Sequence, residues 1–476
     1  MIGQPELLTE TVQRRAPDST VRESLPPLVI AGAGTAGTSL ALKLAELGIE
    51  STLIDNSFDD CVEFDRRTTT PIARQDVIGY LGLDVPEDDV SITGKKYLFG
   101  DKIIRLLSRI EARMDGLGQR PFVVIDGEAS LARLHKRARA SEHIRLVEGR
   151  VMGVTLSHGG PRTVIGLSVT RVEAGNEGSI KKVKMDLATS LVIDATGRGT
   201  SGVADLLAKE QTDLVEEVTT PQATTYLGAY VEVDNTKLSN RFIGASHTFF
   251  IGLLPGGIHV YFAPHETKGS PANHVLFVSG NSERIRTVYA AAKGNRLQAL
   301  TQLLAGTLWE EILECTTTAD RTTYFQYTKA RARYVKVGGL ALIGDAGVHT
   351  SPTLGAGYGY IARDIQTLLG IIRTVQASKS GEIDSGMIAE AGEYYNQIQA
   401  RVYRRRMARA RRTMKAINYL DKIFGSQKPE RKLEYAHVKG FCIAFVILLF
   451  CPQAALNWSH DQWNSISSSA QMPIST

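Results

Sequence analysis

Residues 28–55 read Leu28-Val-Ile-Ala31, then Gly32-Ala-Gly34-Thr-Ala36-Gly37, then an Ala/Leu-rich stretch ending near Gly48, then Ser51–Ile54 closed by Asp55. An apolar run, a glycine turn, a helical spacing, a second apolar run and an acid, in that order, predict a strand-turn-helix-strand unit of a doubly wound α/β fold. In such a turn the first glycine permits the tight bend. The second lets backbone approach a pyrophosphate, and the third lets the helix pack on the strand. The helix start adds unpaired N–H groups and the positive end of its dipole for phosphates. Asp55 follows Gly32 by 23 residues, where an acid accepts hydrogen bonds from ribose hydroxyls. Gly32, Gly34, Ala36, Gly37 and Asp55 are therefore candidate contacts to a dinucleotide, and this motif alone does not choose between NAD and FAD.

The rest of the chain extends this unit. At 476 residues it exceeds the size at which one core stops growing, so more than one substructure is expected. Residues 1–26 carry both charge signs and no apolar run, which argues against a secretory signal and for a flexible extension. A helix is expected over Ala73–Leu83, strand-rich segments over 87–125, and another helix over Glu128–Ala140. Ile144–Leu156 and Val164–Leu187 alternate like antiparallel strands, before Leu191–Ile193 enters Asp194-Ala-Thr196-Gly197-Arg198. Tyr226–Val233, Thr248–Leu254, His259–Phe262 and His274–Val278 read as strands, Ser282–Leu313 as one or two helices, and Glu382–Asp421 as continuously helical.

A second constellation lies far downstream: strand-like Gly339–Ile343, then Gly344-Asp345-Ala346-Gly347, His349, Pro352, and Gly355-Ala356-Gly357-Tyr358-Gly359. Together with the GxGxxG turn and the intervening DATGR, this order resembles the FAD-dependent monooxygenase superfamily. That group includes para-hydroxybenzoate hydroxylase, geranylgeranyl reductases, styrene monooxygenase and flavin halogenases, and the likeness spans roughly residues 28–370. The resemblance implies FAD as cofactor, with Asp345 at the ribityl or ribose hydroxyls and Pro352, Gly355, Ala356 and Gly357 bringing backbone amides to the isoalloxazine. Gly344, Gly197 and Val151 join the implied cofactor contacts. The fold class it implies is α/β: a Rossmann-like FAD-binding βαβ domain, discontinuous over 27–209 and 331–380, with an inserted α+β substrate domain over 210–330 and a helical C-terminal region over 381–476. His349, the histidine of the GDA loop, is the catalytic candidate through proton donation near neutral pH, or else a hydrogen-bonded wall residue.

The departures from the family pattern are specific. Where many relatives carry an arginine that meets the flavin phosphates, this chain reads Asp126-Gly-Glu128-Ala-Ser-Leu131, and Arg66, Arg67 and Arg74 are the candidates to replace that charge, Arg66 foremost. No second strand-linked GxGxxG exists for a separate pyridine-nucleotide domain. Electrons are therefore expected from NAD(P)H bound transiently, or from reduced flavin supplied by a partner reductase. Trp309, Trp458 and Trp463 do not form the W-x-W-x-I-P signature of tryptophan halogenases.

Four scattered cysteines indicate neither a disulfide framework nor a metal site, and a reducing, cytoplasmic setting is the default. The basic stretch from Arg401 to Arg412 lacks interleaved aromatics, which argues against nucleic acid and leaves a solvated or interdomain helix or attraction to a membrane surface. The apolar run Phe441–Phe450 is too short to span a bilayer, so it is either a buried helix or an interfacial segment, and peripheral membrane contact through 401–451 is the corresponding expectation. The main expectation is an FAD-dependent monooxygenase of secondary metabolism, using O2 and NADPH or a flavin reductase partner to hydroxylate or epoxidise a lipophilic or aromatic small molecule through a flavin C4a-hydroperoxide. A reductase or cyclase acting on an isoprenoid double bond and a non-catalytic FAD-binding protein stay open as alternatives.

Overall fold

The computed structural model describes residues 28–56, 58, 72–83, 91–92, 94–99, 102–103, 122–124, 127–158, 161–174, 180–197, 202–242, 244–254, 258–265, 271–350, 357–379 and 384–424. Residues 1–26, Arg66, Arg67, Pro352, Gly355, Ala356 and the apolar run 441–450 lie outside them.

Leu28–Ala31 is a strand because its four residues are apolar and buried on both faces, as the centre of a parallel sheet requires. It pairs in parallel with Ser51–Asp55 on one side and Leu191–Asp194 on the other. Ile144–Glu148 and Leu340–Leu342 complete a five-stranded sheet at its two edges, both again in parallel register. The last strand arrives from more than 140 residues later in the chain, so this domain is discontinuous in sequence. Helices Thr35–Ala45, Gly127–Arg139 and Gly357–Lys379 cover one face through Leu40, Leu44, Leu134, Ile365 and Leu368. The other face packs on Val164, Leu167, Val203 and Leu207, from a three-stranded antiparallel sheet and the helix Val203–Glu210.

The second layer is an eight-stranded sheet dominated by two long neighbours, Val215–Val233 and Thr316–Val335, paired antiparallel along nearly their whole length. Its Leu227, Ala229, Val231, Phe250, Val260, Phe262, Leu276 and Val278 point to one side, where helices Ser282–Ala291, Arg296–Leu304 and Glu310–Glu314 close a core around Trp309. The buried pair of Arg333 with Asp205 and Glu217 ties this sheet to the helix Val203–Glu210 of the first layer. The C-terminal helix Ser385–Phe424 lies behind Leu340–Leu342: the hydroxyls of Tyr395 and Tyr403 both donate to the Leu342 carbonyl at 2.9 and 2.7 Å, and Asn396 donates to that of Leu340 at 2.6 Å.

Several local expectations differ. Ile72–Arg74 is a strand paired with Phe122–Val124, so the helix expected from Ala73 starts only at Gln75. Ile144–Glu148 joins the parallel sheet; its neighbour Arg150–Leu156 is antiparallel to Val164–Ala174, and the short Gly149 link separates two sheets that alternate alike in sequence. Most of Thr316–Val335 escaped the pattern because Thr, Arg and Lys dominate it and it is paired on both sides by topology, not by hydrophobicity. The strand at Tyr226 starts eleven residues earlier, since Pro221 reads as a strand breaker yet sits where the pairing with Thr316–Val335 is irregular.

Candidate active site

The three glycines of the turn divide into two kinds. Gly32 has φ +101°, and a Cβ there would come within 2.6 Å of the Ala195 carbonyl oxygen; a Cβ on Gly37 would sit 1.9 Å from that of Gly32. These two permit the bend and the packing of helix on strand. Gly34 is different. It caps the helix Thr35–Ala45 in an ordinary extended conformation, and a Cβ on it would meet nothing within 4 Å. Gly34 is not needed by the fold, so its bareness leaves room for something to approach the helix start.

The turn is held from three sides. Asp55 accepts a hydrogen bond from the Ala33 N–H at 2.5 Å and another from Asn56 at 2.7 Å. The Ala33 carbonyl accepts from the Thr38 hydroxyl at 2.8 Å and lies 2.7 Å from Nε2 of buried His135, on the helix Gly127–Arg139. His135 was not singled out from sequence. Its signal is a polar residue on the buried stripe of an amphipathic helix, at the i+4 position from Leu131.

Asp194, wholly buried, accepts from the Thr196 amide (3.0 Å) and hydroxyl (2.6 Å) and from the Ala204 amide at the start of the next helix (2.8 Å). Its carboxylate therefore shapes the DATG turn and is consumed in doing so. That turn delivers Gly197 at φ +77°, with nothing within 4 Å of where its Cβ would be. Val151 packs in the core opposite Val169, so a ligand at that position would meet backbone only.

The downstream stretch folds onto the first. Gly344, at φ +60°, lies so that a Cβ would touch that of Ala36 at 3.3 Å, and Tyr358 is hydrogen-bonded to Thr35 at the start of the first helix. Burial pushes the Tyr358 hydroxyl up to about 12, with the Thr35 bond acting the other way, so it stays neutral. Gly357 opens the helix Gly357–Lys379, again with open space at its Cβ position. Open space also surrounds surface-turn glycines such as Gly48 and Gly306. The distinction at Gly34, Gly197 and Gly357 is that each lies at a strand end or helix start of one convergent assembly.

Behind the GDA loop stands a brace that sequence reading missed. Asp364, wholly buried, accepts from the Gly344 amide at 3.0 Å, from Gln399 at 3.2 Å and from Arg406 at 2.7 Å. Arg406, itself buried, stacks over Tyr360 with its guanidinium carbon 4.3 Å from the ring centroid. Within the basic stretch this one arginine is therefore structural, and an acid at the buried face of the helix Gly357–Lys379 was its only sequence signal.

Asp345, half-exposed, faces His349 with Oδ2 and Nε2 3.9 Å apart. His349 pairs opposite Arg331 at the edge of the eight-stranded sheet; Tyr327 donates its hydroxyl to the His349 carbonyl at 2.9 Å and meets the imidazole edge-on at 4.8 Å. From there the sheet face turned away from its helices is aromatic. Tyr226 stacks on Phe325 at 4.4 Å and Tyr261 on Phe277 at 4.5 Å, with Phe249 and His259 beside them. Gly228 makes room for Phe277, whose Cβ a side chain there would overlap at 2.6 Å. Burial lowers His259 to about 4, so its imidazole is neutral on this face. Arg66, Pro352, Gly355 and Ala356, candidates from the sequence, lie outside the described residues. Among the described residues no cluster of histidine, cysteine or carboxylate side chains suits a metal ion.

No family model matches the chain, and no curated protein matches its sequence. Solved structures do match its fold. PqsL of Pseudomonas aeruginosa, in complex with 2-aminobenzoylacetate, superposes with a TM-score of 0.58 at 15% identity over 88% of this chain and 99% of its own. The p-nitrophenol 4-monooxygenase PnpA of Pseudomonas putida gives 0.57 at 13% identity over 91% and 97%, and the flavin-dependent halogenase CmlS gives 0.57 at 15% over 94% and 71%. The chain thus has the fold shared by FAD-dependent monooxygenases and flavin-dependent halogenases, a Rossmann-like α/β domain joined to a second sheet, with a helical C-terminal region.

Proposed function

We propose that this protein is an FAD-dependent monooxygenase that hydroxylates or epoxidises a lipophilic or aromatic small molecule, in secondary metabolism. The observation that carries the reading is the pair of bare, open glycines on two neighbouring turns, Gly34 on the one braced by Asp55 and packed at Ala36 against Gly344, and Gly197 on the one shaped by Asp194. A dinucleotide fits that arrangement: backbone amides at the helix start for a pyrophosphate, Asp55 for ribose hydroxyls, Asp345 at the far end. In this reading 27–209 and 331–380 form the FAD-binding domain and 210–330 the substrate domain. Gly32, Gly34, Ala36, Gly37, Asp55, Val151, Gly197, Gly344, Asp345 and Gly357 are the cofactor contacts, with Arg66, Pro352, Gly355 and Ala356 as their partners outside the described residues.

Bound FAD, once reduced, would supply the electrons that activate O2. The chain's own residues do the rest. The aromatic face of Tyr226, Tyr261, Phe277 and Phe325 holds a flat apolar substrate and excludes water, and His349, beside Asp345, is the residue that moves a proton in this reading. NAD(P)H or a partner flavin reductase supplies the electrons, in a cytoplasmic setting with peripheral membrane contact. The names of PqsL's ligand and PnpA's substrate, both substituted aromatics, support an aromatic substrate.

The test is direct. Purified protein should be yellow or take up FAD, and in 18O2 it should transfer label into product; His349→Gln should slow product formation about 100-fold while leaving FAD affinity unchanged. Protein that binds FAD yet converts an alkene substrate without O2 would establish the double-bond reductase instead, and folded protein that refuses FAD in either redox state would end the proposal.

A further inference from the structure

One cross-strand row of the aromatic sheet face is polar at its centre. Ser279 stands directly opposite Tyr226 on one neighbouring strand and opposite His259 on the other, so a hydroxyl and an imidazole lie side by side across strands about 4.8 Å apart. The His259 ring lies nearly parallel to that of Tyr261, at 17°, which places it on the aromatic side. The sequence neighbours Leu227, Val278 and Val260 project to the other side, into the core closed by helices, and are all apolar. The polar exceptions therefore belong to the ring-bearing face.

Both groups are buried without a partner. His259 is 3% exposed, and its Nε2 makes no hydrogen bond. Ser279 is wholly buried, and its hydroxyl has no partner at hydrogen-bond geometry, with the Tyr261 hydroxyl beside it. Orphaned polar groups cost a fold stability, so each calls for an account. Single buried hydroxyls without partners occur elsewhere, as at Thr52 and Thr225. Here an imidazole nitrogen and a hydroxyl share one side of two neighbouring strands, where one ligand group can meet both. A buried water is the ordinary remedy, and it needs an enclosed space with several polar partners. This face is not enclosed, since Phe325, Phe277 and Tyr261 around the pair are half-buried.

Charge narrows the ligand. Burial holds His259 at about 4 and raises the Tyr261 hydroxyl, so these two and Ser279 are all uncharged at neutral pH. An ionised substituent seated among them would be desolvated with no counter-ion from the three, whereas a hydroxyl can accept from one partner and donate to the other.

We propose that His259 and Ser279 are specificity-determining residues: they hydrogen-bond an uncharged substituent of a flat aromatic substrate that both donates and accepts, as a hydroxyl does, and discriminate against the same ring carrying a methyl or a carboxylate. This rests on the reading of the aromatic face as the substrate surface, and its test needs no turnover.

The probes are 2-naphthol, 2-methylnaphthalene and 2-naphthoate, titrated at neutral pH into the full-length protein with and without added FAD and followed by probe fluorescence and thermal unfolding. The naphthol should bind about 100-fold more tightly than either of the others. His259→Phe should bring the naphthol and the methyl compound within about threefold of each other, and Ser279→Ala should narrow their gap about tenfold, the methyl compound binding each variant at least as tightly as the parent. A merely structural role would weaken both probes alike. Equal affinities in the parent, tighter binding of the naphthoate, variants that lose both probes together, or no binding of any probe would each overturn the proposal. The two readings fail separately. Preference for the naphthol in protein that never takes up FAD would support this one, and FAD-loaded protein that binds the naphthol and the methyl compound alike would sink it while the flavin chemistry stands.

Discussion

The glycine turn and the aromatic sheet face are built on opposite principles. At the turn the chain presents its backbone: what matters at Gly32, Gly34, Gly37 and Gly197 is the lack of a side chain, and their nearest neighbours are either carbonyl oxygens or open space. On the sheet it presents rings, and what matters is which strands lie side by side, since Tyr226 meets Phe325 and Tyr261 meets Phe277 only through cross-strand register. A backbone site demands particular residues at fixed spacing in one short segment. A side-chain surface assembled across strands tolerates many residues and is defined only by topology.

That contrast can be broken or sharpened by experiment. The largest effect is expected at Gly37→Val, whose side chain would overlap the Gly32 carbonyl; the helix must leave the strand, and both FAD binding and cooperative unfolding should be lost, as read by flavin fluorescence and circular dichroism. Acid should strike the sheet half next. Burial holds both His259 and His274 at about 4, below the ordinary value of 6.5, so between those limits the unfolded chain binds protons that the folded one does not, and stability falls as pH drops. About 2 kcal/mol per histidine should be gone at pH 5, measured by denaturant titration, and His259→Phe should remove its share of that slope.

Smaller effects separate holding the turn from contacting a ligand. Asp55→Ala removes the acceptor of the Ala33 N–H as well as the proposed ribose partner, and should weaken FAD about 10- to 100-fold by equilibrium fluorescence quenching. Gly34→Ala is the sharpest comparison with Gly37→Val. Its conformation suits any residue and its Cβ has room, so unfolding should be unchanged while FAD affinity falls about tenfold. A Gly34→Ala protein that binds FAD like the parent would remove the backbone approach from the proposed site.

The same division explains what was legible beforehand. Residues 28–55 announced strand, turn, helix, strand and acid because each is a local choice with a period or a conformation of its own. The GDA segment was legible only through the family resemblance, and the structure seats its Gly344 against Ala36 from far along the chain. His135 and Asp364 were not read, since one polar residue on a helical apolar stripe has no local meaning until its partners, the Ala33 carbonyl and the Gly344 amide, arrive from other elements. Thr316–Val335 was hidden by its polar composition, and its pairing with Val215–Val233 and Val348–His349 supplies the hydrogen bonds that its hydrophobicity does not advertise.

By itself the sequence determined the positions where backbone must be bare and where an acid must stand, because sterics and a fixed turn geometry act over a few residues. Tertiary structure alone decided that Arg406 is a buried counter-ion to Asp364 while Arg401, Arg405, Arg411 and Arg412 face outward, and that rings from five strands share one surface. Identical side chains a turn apart acquire opposite roles there, because burial and partner are properties of the packed neighbours and not of the residue.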